Sequence, residues 1–304
     1  MQLPFPSIGY RKKLLSAAAL LLCLLSAPLA AASAHVLIIK DTEIKPYRDA
    51  IEGFKSTCGL ETEELNLADT AAIDEALKRR PDAVAAIGTR AFRKARSLRN
   101  LPVIYAMVMP SEAIDPGGGN LSGVSMEIDP ETYLSAMAAL FPGAKRIGLL
   151  FDPEQSGGFV AQASAAAAQK GLILIPKKLR DPRQVPALLE EMRGKIDAFW
   201  MIPDPTAVKP ETIDVLMLFS FRNNIPIFSF SEKYVEKGAV AALRIDPRDM
   251  GAQAGEIARA LVNGGKGPVR AFARKPRLVV NTKVGAKIGV SINGELFRNA
   301  EKME

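Results

Sequence analysis

From His35 onward the chain alternates short apolar runs with segments of helical periodicity, and at Pro142-Gly143 the alternation starts again. No other feature restricts the fold as much. In the first run, HVLIIK (35–40) reads as a strand. KPYRDAIEGFK (45–55) reads as a helix with Tyr47, Ala50, Ile51 and Phe54 on one face. AVAAI (83–87) and LPVIYAMV (101–108) have the unbroken apolar character of strands covered on both sides. Gly88-Thr89 opens a helix, with Thr89 its expected N-cap. DPETYLSAMAALF (129–141) is a helix with Asp129 as cap and Pro130 in its first turn. In the second run RIGLLF (146–151), LILIP (172–176), IDAFWMIPD (196–204) and IPIFSF (225–230) read as strands. Helical patterns over 157–171, 185–193 and 210–223 separate them. The order predicts an α/β protein of two doubly wound, parallel-sheet lobes with helices on both faces.

The tail adds AVAAL (239–243), a helix over 246–265 and LVV (278–280). That is too little for a third core, so these elements must complete the two halves already built. The expected division is an N-terminal lobe of 35–143 plus 239–265 and a C-terminal lobe of 144–238 plus 266–304. Several chain crossings would then form a hinge with a cleft beside it.

The first 34 residues read as a leader. Arg11, Lys12 and Lys13 precede an apolar run from Leu14 to Leu25, and Ala32-Ser33-Ala34 fits a small-x-small cleavage site. A signal peptide over 1–34, cleaved after Ala34, would deliver a periplasmic chain of 270 residues beginning at His35. Cys23 follows Leu22, not the small residue of a lipoprotein site. Loss of the three basic leader residues lowers the formal charge from +7 to +4, a surplus too small to argue for nucleic acid.

Cysteine and histidine narrow the chemistry. Only Cys58 survives cleavage, so no internal disulfide forms, and the one histidine is His35 at the expected new terminus. A His/Cys metal site and a Ser-His-Asp or Cys-His arrangement are therefore not expected. No G-x-x-x-x-G-K-[ST] occurs and no G-x-G-x-x-G follows a strand, so no cofactor is expected. GGGN (117–120) reads as a turn and GGKG (264–267) as a helix stop.

In doubly wound sheets ligands bind beyond the carboxyl ends of the strands. That rule selects Asp41, Thr42 and Glu43; Gly88 and Thr89; Met109; Asp152, Gln155 and Ser156; Asp204; and Ser231 with Glu232. Helix N-termini there suit an anion such as a carboxylate, and Asp152 or Asp204 suits an ammonium. Arg90, Arg93, Lys94, Arg96 and Arg99 read as a solvated helix face. Trp200 and Phe228 read as core, with Phe230 either core or an aromatic wall.

Several stretches together resemble the periplasmic substrate-binding proteins of ABC transporters, in particular the uncharacterised substrate-binding group that includes tryptophan- and tyrosine-binding members. They are GGNLSGVS (118–125), LFPGAKRIGLLFDPEQS (140–156), IDAFWMIPDPT (196–206), IPIFSFSEKYVEKGAVAAL (225–243), DMGAQAGEIARALVNG (249–264) and LVVNTKVGAKIGVSI (278–292). The resemblance implies the type I periplasmic binding fold: two lobes, three interlobe crossovers, and a ligand held between lobes that close on it. It implies that Thr89 and Asp204 match residues of the family's cleft and that Asp152-Pro153 stands where the family has Asn-Pro. It departs at Met109-Pro110, where the family has Asp-Pro, and in the more charged KDTEIKPY (40–47). Tryptophan and tyrosine are therefore not carried over.

The expectation is a monomeric, non-enzymatic binding protein. It would capture a small polar solute, with an amino acid or related metabolite among the candidates, and deliver it to an inner-membrane ABC permease. A sensory module presenting ligand to a receptor or kinase is the alternative. A carboxylate-dependent hydrolase in the same cleft is disfavoured by the shortage of histidine and cysteine.

Overall fold

The structure, a computed structural model, describes residues 34–109, 119–290 and 295–303. The leader, apart from Ala34, lies outside the described residues, as does the start of the turn at GGGN. The first sheet is built from β1 (His35–Lys40), β2 (Glu61–Asn66), β3 (Ala83–Ile87), β4 (Val103–Val108), β5 (Leu121–Ser125) and β11 (Arg270–Ala271). Their order is β11-β5-β4-β3-β1-β2, and every pairing is parallel. The second sheet is built from β6 (Arg146–Phe151), β7 (Ile173–Lys178), β8 (Ala198–Trp200), β9 (Ile227–Ser229), β10 (Ala241–Arg244), β12 (Arg277–Asn281) and β13 (Glu301–Met303). Their order is β13-β12-β10-β9-β8-β6-β7, parallel except where β12 meets β10.

The apolar runs lie where burial puts them. Every residue of β3 and β4 is buried, as continuous apolar strands between two helical layers must be. Gly123 has no side chain because a Cβ there would fall 2.2 Å from the Tyr105 carbonyl oxygen, so only glycine lets β5 lie against β4. β2, ETEELN, has no apolar alternation and so gives no strand signal. It sits at the sheet edge, where its glutamates discourage further pairing.

The helices of the first lobe are α1 (Lys45–Cys58), α2 (Thr70–Lys78) and α3 (Thr89–Ala95). Those of the second are α4 (Pro130–Leu140), α5 (Pro153–Gln169), α6 (Val185–Met192), α7 (Pro210–Asn223), α8 (Glu232–Glu236) and α10 (Thr282–Lys287). Between β10 and β11, α9 (Pro247–Val262) returns to the first lobe and packs on α1. The two backbones approach closely: a Cβ on Gly251 would stand 1.8 Å from the Ala50 carbonyl oxygen, and one on Gly53 would stand 1.9 Å from that of Arg248. The Thr57 hydroxyl donates to the Ala252 carbonyl at 2.6 Å across the same contact.

The chain passes between lobes three times, at 126–129, 245–246 and 272–276. The lobe boundaries therefore differ from those expected. Helix α4, expected to close the first lobe, packs Tyr133, Leu134, Met137 and Leu140 into the core around Ile147 and Trp200. Strand β10, expected in the first lobe, pairs with β9 and β12 in the second sheet, and β11 joins the first. The break in pattern at Pro142-Gly143 marks the end of a helix, whereas the crossing falls one element earlier. Ile245, in the second crossover, packs against the cores of both lobes.

Candidate functional site

Strands β5, β10 and β11 each run out of their carboxyl ends directly into a crossover. The strands parallel to them end on the same side, so the carboxyl edges of both sheets flank the same three segments. That edge is where ligands collect in doubly wound sheets.

On the first lobe the expected residues form a clamped rim. Asp41, which follows β1, is almost wholly buried, and its carboxylate accepts from the Arg90 backbone N–H at 3.1 Å and from Arg90 Nε at 2.5 Å. Its charge is matched within the protein, and it fixes Arg90 at the strand tips. Arg90, read as part of a solvated face, is thus a rim residue that sequence reasoning missed. Gly88, and not Thr89, is the N-cap of α3. Its φ of 99° is in glycine territory, and a Cβ there would strike Asp41 and the Tyr47 ring. The Thr89 hydroxyl instead accepts from the Met109 N–H at 3.4 Å. Tyr47 stands half-buried beside Asp41, its phenol pKa raised by burial and then by the Asp41 charge. Thr42 is half-buried, Glu43 pairs with Lys40, and Met109 is exposed. Close by, Met107 carries a positive φ of 58° where the β4–β5 register shifts, a strained position of the kind that clusters at sites.

On the second lobe two expected acids prove to be internal. Asp204 is fully buried. Its carboxylate accepts from the backbone N–H groups of Asp152 at 2.8 Å and of Thr206 and Ala207 at 2.9 Å each. It braces the loop after β8. Asp152 is the N-cap of α5, accepting from the Glu154 N–H at 3.0 Å and the Thr206 hydroxyl at 2.9 Å. Because α5 begins at Pro153, Gln155 and Ser156 lie in its first turn, Gln155 exposed and Ser156 half-buried. Ser231 precedes α8 without a side-chain capping bond, and Glu232 pairs with Arg244 at 3.0 Å. Phe230 is half-buried and meets Tyr234 edge-on at 5.2 Å, a small aromatic wall beside Ser231.

At the hinge, the Glu127 carbonyl accepts from the Ala273 N–H at 2.9 Å, joining the first and third crossovers. Arg274 forks onto Glu256 at 2.7 and 2.9 Å and reaches Asp249, while Arg277 meets Asp246 at 2.7 Å. The Arg274 pairs strap the third crossover to α9, and the Arg277 pair joins the start of β12 to the second crossover. Among the described residues no His/Cys/Asp/Glu group is arranged to hold a metal ion. Cys58 is buried at the end of α1, its thiol pKa pushed up by burial. A groove of about 750 Å³ beside the crossovers, lined by Asp129, Thr132, Arg277 and Glu301 among others, includes none of the expected ligand residues.

A two-lobed α/β architecture hinged by three crossovers, its strand tips gathered at one edge, is the type I periplasmic binding protein fold. The chain belongs to the family described as ABC transporter substrate binding protein, which it matches over residues 51–304. It is 27% identical over 192 residues to a tyrosine-binding protein of Clostridioides difficile (strain R20291). That match takes in 60% of this chain and 55% of the relative, so the chain spans about half the length of that protein. It is similar in fold to the ligand-free, open structure of a substrate binding protein with adhesive properties from Clostridium difficile. There the TM-score is 0.68 at 19% identity, covering 89% of this chain and 99% of the other. It is similar also to a Streptococcus pneumonia ABC domain in complex with L-Trp, with TM-score 0.55 at 22% identity over 89% of this chain and 99% of that one.

Proposed function

We propose that this protein is exported and captures a small polar solute between its lobes for delivery to an inner-membrane ABC permease. Membership of the substrate-binding family supports the role. The observation that carries it is the meeting of both carboxyl edges at the three crossovers, which places a polar rim on each lobe around one hinge. The solute is an amino acid or close relative. Relatives named for tyrosine and crystallised with L-Trp support that class, as does a rim with a helix N-terminus, a phenol and exposed apolar side chains. The protein works as a monomer and does not alter its ligand.

Export with cleavage after Ala34 has a structural rationale. The His35 backbone nitrogen lies 2.7 Å from Asp82 Oδ2. Cleavage turns that nitrogen into an α-ammonium and the hydrogen bond into an ion pair at the start of β1.

The test is thermal stabilisation of the chain from His35 by L-tyrosine, L-tryptophan and the other L-amino acids. A solute at 100 times its dissociation constant adds about 2.7 kcal/mol to folding stability. One class of amino acid should raise the melting temperature in a saturable way. An unmoved melting temperature across the panel would refute the assignment.

A further inference from the structure

The acids among the expected ligand residues are already engaged: Asp41 by Arg90, Asp152 and Asp204 by backbone and threonine donors, Glu43 by Lys40 and Glu232 by Arg244. Glu127 differs. It lies in the first crossover, between Met126, which packs on the first lobe's core, and Ile128, which is buried in the second. Its carboxylate is partly buried and, among the described residues, has no ion pair, while burial alone raises its pKa.

Its surroundings lie where the second lobe's core meets the carboxyl edge of its sheet. The charge of Glu127 is felt by Tyr133, one turn into α4, which stacks obliquely on Trp200 at 5.1 Å. Trp200 is the last residue of β8, at the carboxyl edge of the second sheet, and Phe159 from the second turn of α5 meets it at 5.6 Å. The Trp200 indole N–H is buried without an acceptor among the described residues. A half-buried carboxylate lacking a cation is costly to maintain, and a cation brought by a ligand offsets that cost.

Resting on the solute-binding reading, we infer that Glu127 is the counter-charge for an ammonium group of the solute, which makes an amine-bearing solute the class this cleft selects. The hinge position makes the contact consequential. A solute held by the first crossover touches the segment about which the lobes turn.

The experiment is titration calorimetry of the chain from His35 and its Glu127→Gln and Glu127→Asp variants. The probes are the L-amino acids, their 2-hydroxy-acid counterparts and a set of neutral sugars. Far-ultraviolet circular dichroism verifies that each variant is folded. The expected result is wild-type binding of amino acids in preference to the matching hydroxy acids. Glu127→Gln should weaken amino-acid binding at least about 10-fold, with partial recovery in Glu127→Asp. Undiminished amino-acid binding by folded Glu127→Gln would overturn the inference. Wild-type binding confined to hydroxy acids or sugars would overturn it too, while leaving solute capture intact. No binding of any probe by the wild type would count against solute capture and take this inference with it.

Discussion

At the scale of single residues, carboxylates at the same kind of position do opposite things. Asp204 and Glu127 both lie near strand ends, yet one is sealed under three backbone donors and the other has no cation among the described residues. Asp204→Ala should therefore destabilise the ligand-free protein, by about 3 kcal/mol, since it strands buried N–H groups. Chemical denaturation of the apo protein measures this, and an unchanged midpoint with lost ligand affinity would return Asp204 to the cleft. Asp82→Asn probes the expected amino terminus. It should cost the chain beginning at His35 up to about 1 kcal/mol and cost less in a chain with residues retained before His35, as a comparison of melting temperatures will show. Strand-end positions were legible because apolar runs stop abruptly at them. Which acids are consumed internally was not, because Thr206 and Asp152 meet only through the fold, 54 positions apart in sequence. Arg90 is solvent-exposed as expected, but its bond to Asp41 was not legible, because the two lie 49 positions apart.

At the scale of elements, the first lobe depends on a helix that arrives late in the chain. Gly251 and Gly53 allow α9 to touch α1 backbone to backbone. Gly251→Val should cost about 3 kcal/mol or more by forcing the helices apart, with urea unfolding as the readout. Arg274 straps the third crossover to α9 through Glu256 and Asp249. Arg274→Ala should cost about 1 kcal/mol or less at low salt and still less at high salt. Hydrogen bonding to Arg274 holds the Glu256 carboxyl below its usual value, so the strap stabilises at neutral pH and fades as pH falls below the ordinary glutamate range near ~4. The gap between wild type and variant should close in acid, measured by thermal melts at several pH values. Strands β3, β4 and β6 announce themselves as apolar runs. The acidic edge strand β2 and the glycine-bearing β5 do not, because neither shows two-residue alternation. The crossovers were legible only in principle: a tail too short for its own core had to be shared, but helix α4 carries no mark of which sheet it covers.

At the scale of the whole molecule, three short crossovers join two separately cored lobes among the described residues. Such an arrangement favours closure about the crossovers over local rearrangement, with the solute bridging both rims. Arg274 ties the third crossover to the first lobe, while Arg277 ties β12 of the second lobe to the second crossover. The measurement that tests closure most directly is solution X-ray scattering of the chain from His35, alone and saturated with the amino acid that stabilises it. The account predicts a smaller radius of gyration on saturation, with the solute recovered chemically unchanged. Scattering that stays the same with solute bound, or a solute returned as a different compound, would contradict it.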